Sequence, residues 1–111
     1  MLYTFYFIVS VMKQKLILET EVKKLFKKAS EILRETTIEQ CFGDYNIGNK
    51  YCALGVLANY LGWGGGSDKD YVGYGDKVYA LTGNDGYLIY RMNDRGMSFS
   101  QIADYLEERG L

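Results

Sequence analysis

The stretch NKYCALGVLANYLGW, residues 49–63, decides the fold. Its apolar positions Ala53, Leu54, Val56, Leu57, Ala58 and Leu61 fall on nearly every side of a helical projection. A helix from about Lys50 to Leu61 should therefore be the buried centre of the domain. Gly55 weakens that helix, and close approach of another backbone is the use the position suggests. Cys52 falls in its first turn, where the helix dipole favours a thiolate, with Lys50 two residues away. Cys52 is thus either a reactive thiol or a small buried hydrophobe, the common fate of a free cysteine in an apolar helix.

Working outward, Val22, Leu25, Phe26, Ala29, Ile32 and Leu33 recur at i, i+3, i+4 and i+7, which predicts one amphipathic helix from Thr20 to Glu35. Thr20 can cap it and Glu21 suits its first turn. TTIEQCFGDYNIGNK (36–50) carries Gly43, Asp44, Asn46, Gly48 and Asn49, the residues of a loop or tight hairpin. GWGGGSDKDYVGYGD (62–76) is glycine-rich and polar and reads as a surface loop bearing Trp63, Tyr71 and Tyr74. It has neither the preceding strand nor the GxxxxGK[ST] pattern of a phosphate cradle. Residues 76–96, DKVYALTGNDGYLIYRMNDRG, fit a hairpin or two short helices, and Leu88, Ile89 and Met92 favour a helix starting near Asn84 or Asp85.

The closing segment GMSFSQIADYLEERGL (96–111) is the most explicit. Ser98 and Gln101 form a capping box, Met97 and Ile102 a hydrophobic staple, and Phe99, Ile102, Ala103 and Leu106 a buried stripe. Gly110 sits where a left-handed residue ends a helix, with Leu111 folding back on Leu106.

These elements predict a mainly α single domain, a compact bundle of four or five short helices over residues 13–111. The apolar run Leu2–Met12 stands apart as an N-terminal arm or strand. It could instead extend the following helix or be a leader upstream of a start at Met12. It has no preceding basic residues and is too short to span a bilayer. If uncovered, residues 2–11 would be an adhesive surface for a second copy.

Composition removes several chemistries. Histidine is absent, and with it the usual general base near pH 7 and the commonest metal ligand. Two cysteines, Cys41 and Cys52, are too few for a disulfide scaffold or a zinc pattern, so reduced thiols and a cytoplasmic protein are expected, without metal or cofactor. A Cys41–Cys52 bridge is a matter of geometry. Residues 1–35 hold seven Lys/Arg against four Glu, and the rest of the chain is net acidic. A basic face of Lys23, Lys24, Lys27 and Lys28 is the alternative site for nucleic acid, against the reading that it is simply solvated.

Three resemblances bear on function. YCALGVLANYLG resembles the cysteine helix of papain-like peptidases of the bacteriocin-processing type, but without histidine the catalytic dyad cannot be built. GMSFSQIADYLEERGL resembles the first helix of a helix-turn-helix unit, a motif that reads DNA through a second, recognition helix, which is not expected here. In order, the first amphipathic helix, CALGVL, the Asn93-Asp94 pair and SFSQIADYLE resemble a family of small bacterial and phage proteins with a CALGAL-type helix, an Asn-Asp turn and a short final helix. Here Met92 stands where that family often has tryptophan. The resemblance carries no activity, and implies that the turns at Cys52 and at Asn93-Asp94 lie together. Candidate ligand residues are then Cys52, Lys50, Asn93 and Asp94. The expectation is a non-enzymatic binding or protein-interaction domain, since 11 tyrosines suit contact surfaces. A thiol-dependent activity at Cys52 is the alternative.

Overall fold

The computed structural model describes residues 27–66 and 68–111, residues 68–72 by their backbone alone. The described residues form a mainly α bundle, with α1 (Ala29–Glu35), β1 (Asn46–Ile47), β2 (Lys50–Tyr51), α2 (Ala53–Tyr60), α3 (Asp68–Thr82), a 3-10 turn (Gly83–Asp85), α4 (Gly86–Asp94) and α5 (Phe99–Glu108) in chain order. The apolar arm at 1–12, the Thr20 cap, and Lys23 and Lys24 lie outside the described residues.

α2 is the centre, as its all-round apolar sequence predicts. Every residue from Ala53 to Ala58 is buried, and α1, α3 and α4 all pack against it. α5 covers α1 with the stripe Ile102, Ala103 and Leu106, fully buried at i, i+1 and i+4. Leu33, Leu57, Ile89, Ile102 and Leu106 are the largest side chains sealed in this core. Burying each such side chain contributes about 1.5–3 kcal/mol.

Gly55 does what the sequence suggests. A Cβ there would lie 2.2 Å from the backbone oxygen of Tyr45, so only glycine lets the chain before β1 rest on α2. That same carbonyl accepts the Cys52 N–H at 3.0 Å. The short hairpin β1–β2 pairs Asn46 with Tyr51 and Ile47 with Lys50, and Tyr51 also bridges in parallel to Gln40.

Three of the helices, α2, α4 and α5, end in one way. At the end of α5, Leu111 N–H donates to Leu106 C=O and Gly110 N–H to Glu107 C=O, the paired bonds of a Schellman motif. α4 ends likewise through Gly96 and Met97, and α2 through Gly62 and Trp63. The capping box at Ser98 and Gln101 is present in both directions.

Three expectations need correction. The helix expected from Thr20 to Glu35 is not continuous: Lys28 is extended and α1 begins at Ala29. This turn lets Lys27 fold back to pair with Glu35, its ammonium 5.5 Å over the Tyr60 ring. The central helix begins at Ala53 rather than Lys50, because Lys50 and Tyr51 are taken up by β2. The expected loop at 62–76 is helical from Asp68 onward. There the burial of Val78 and Leu81, with Tyr74 packed on the core, outweighs the propensity cost of Gly73 and Gly75. Residues 78–92 are helical, and no hairpin forms there.

Candidate functional site

The C-terminus of α4 meets the N-terminus of α2 through Asn93, whose side chain is 0% exposed. It is buried because it lies one turn beyond Ile89 on the face of α4 turned to the core. Its carboxamide is fully used. The oxygen accepts the Ala53 N–H at 3.0 Å and the Gln40 amide at 2.8 Å. The nitrogen donates to the Cys41 carbonyl at 2.9 Å and to an Asp94 carboxylate oxygen at 3.4 Å. One side chain thus satisfies an orphan donor of α2 and anchors the loop before β1. Gln40 extends the network to the Met97 carbonyl at 2.7 Å.

Cys52 is the N-cap of α2, and its sulfur accepts the Gly55 N–H at 3.4 Å. The Cys52 turn and the Asn93-Asp94 turn therefore adjoin. The thiol, however, is 1% exposed and belongs to the core. Burial pushes its pKa up to about 11, outweighing the Gly55 N–H that would lower it. Helix-end electrostatics lose to desolvation here. Cys41 is likewise buried, its thiol raised chiefly by desolvation, and both cysteines are free. Lys50 does not join this cluster, as its ammonium faces Glu39 at 3.5 Å. Of the basic positions expected as a nucleic-acid face, Lys27 is paired with Glu35 and Lys28 is exposed ahead of α1.

Asp94 marks where the buried network reaches the surface. It is exposed and accepts the Gly43 N–H at 3.0 Å, tying α4 to the loop before β1. One turn back on α4, Tyr90 lies beside it, and the Asp94 carboxylate holds that phenol above the usual tyrosine range. Three shallow depressions adjoin around Tyr90. One of about 280 Å³ is lined by Gly43, Asp44 and Tyr45, and one of about 340 Å³ by Tyr45, Leu54, Gly86 and Tyr87. The third, about 400 Å³, is lined by Tyr87, Arg91, Asp94 and Arg95. Tyr87 stands 67% exposed, with Arg91 stacked 5.7 Å over its ring.

Of the expected ligand residues, Cys52, Asn93 and Asp94 are brought together and only Asp94 reaches solvent. Tyr45, Tyr87 and Tyr90 form the surface beside them. The signal for Tyr87, Arg91 and Arg95 is their i, i+4, i+8 spacing along YLIYRMNDR, one stripe of a helix. No family model, curated protein or solved structure matches the chain.

Proposed function

We propose that the protein is a small intracellular binding domain that recognises a protein partner through the tyrosine face centred on Tyr90. The observation that carries this reading is that Tyr45, Tyr87 and Tyr90, from a loop and a helix, line three adjoining depressions instead of scattering over the surface. Tyrosine brings a large rigid contact area with a polar tip and is enriched where partners bind. Beneath the face, the Asn93 network fixes α4 against the loop before β1, so the surface is formed before a partner arrives. Buried neutral thiols in place of a disulfide accord with an intracellular setting. A thiol-dependent activity has no support from Cys52, which is sealed and held protonated.

A photo-crosslinking amino acid placed at Tyr87 tests the reading in the native cell. Discrete crosslinked species should form from Tyr87 and not from Glu108, an exposed position on α5. Equal crosslinking from both positions, or none from Tyr87, would count against it.

A further inference from the structure

The chain has four arginines, and they divide into two kinds. Arg34 reaches Asp104 and Glu107, and Arg109 reaches Asp85 with Nε 2.8 Å from the carboxylate. Arg91 and Arg95, by contrast, meet no carboxylate among the described residues. Both are exposed, both line the 400 Å³ depression with Tyr87 and Tyr90, and they stand four residues apart, Arg91 in the last turn of α4 and Arg95 at its C-cap. Arg91 is held in place by its stacking over Tyr87. Asp94 lies in the same depression, but its Oδ1 is spent on the Gly43 N–H and the Asn93 carboxamide, and its carboxylate also acts on the Tyr90 phenol.

Resting on the interaction reading above, we infer that this face binds an acidic peptide segment of the partner. Carboxylates of the segment pair with Arg91 and Arg95, and an apolar or aromatic side chain between them lies on Tyr87 and Tyr90. The guanidinium fork matches a carboxylate bidentately, and two such forks four residues apart match two acidic side chains of one segment. A nucleic acid fits less well. Its affinity comes from many phosphate contacts, whereas this face offers two cations beside Asp94 and Asp44, in the net acidic part of the chain.

The test is a titration of the isotopically labelled protein at low salt with a random copolymer of glutamate and tyrosine, followed by amide chemical shifts. Shifts should centre on Tyr87–Arg95, and Arg91→Gln/Arg95→Gln should weaken binding by about tenfold or more while leaving the core amides unchanged. Arg91→Lys/Arg95→Lys, which keeps charge but not the fork, should fall between. The inference is overturned if the shifts lie elsewhere or if the glutamine variant binds as well as the parent. It is overturned equally if a lysine–tyrosine copolymer or oligothymidylate binds this face more tightly. Failure of the copolymer with Tyr87 crosslinks still forming would sink the acidic-peptide assignment alone. Loss of the crosslinks would sink the interaction reading beneath it.

Discussion

The side-chain oxygen of Asn93 accepts the backbone N–H of Ala53 at 3.0 Å, so the central helix is closed at its start by a residue from the end of another helix. Asn93→Ala strands the Ala53 N–H and the Cys41 carbonyl in a sealed site. The cost should be about 2–4 kcal/mol, a fall in Tm of more than about 10 °C for a domain this small. Asn93→Asp keeps the acceptor but loses the donor to Cys41 and buries a charge, so it should be no better. Thermal unfolding followed by circular dichroism measures both.

Gly55→Ala separates packing from propensity. Alanine favours a helix by about 1 kcal/mol over glycine. Its Cβ would nevertheless lie 2.2 Å from the Tyr45 carbonyl oxygen, which is backbone and cannot swing away. We expect a net loss of at least about 2 kcal/mol in urea unfolding. A stabilised variant would show that the loop before β1 does not rest on α2.

The Cys52 thiol should react with iodoacetamide at pH 7 far more slowly than a free cysteine, and urea should restore the rate. Its raised pKa also fixes a sign. The folded chain retains the proton to about pH 11, while the unfolded chain releases it near 9.0. Stability contributed by Cys52 is intact below pH 9 and falls by about 2–3 kcal/mol as pH rises to 11. Cys52→Ala should flatten that part of the stability profile.

At α5, Ser98→Ala removes the acceptor of the Gln101 N–H, 3.1 Å away, and breaks the capping box. About 1 kcal/mol should be lost. Arg34→Ala breaks only exposed pairs with Asp104 and Glu107, so its cost should stay below about 1 kcal/mol and shrink in high salt.

What could be read from the sequence was what is locally encoded. The Ser98 cap and the Gly110 ending are written within a few residues of where they act, and the all-round apolar pattern of α2 marks it as central. Gly55 could be interpreted because a glycine inside a buried helix needs a reason. The break at Lys28 was hidden because the apolar spacing continues across it. α3 was concealed by glycines whose cost is met by contacts with α2, which a propensity argument does not contain. The partners of Asn93 were the least visible, since Gln40, Cys41 and Ala53 lie between 40 and 53 positions away. The expectation that the turns at Cys52 and at Asn93-Asp94 lie together agrees with the hydrogen bond from Ala53 to Asn93. It did not distinguish the sealed side of that junction from the exposed side where Tyr90 and Asp94 lie.

The capping of α2 by Asn93 also bears on the order in which the chain can mature as it is synthesised. α5 carries its own start and stop, but the first turn of α2 must wait for a residue made 40 positions later. A nascent chain ending before α4 would hold a frayed central helix, and residues 86–111 would then act as the clasp that fixes it. In hydrogen exchange, the Ala53 amide should open together with α4. Protection of Ala53 in a fragment lacking residues 86–111 would disprove that dependence.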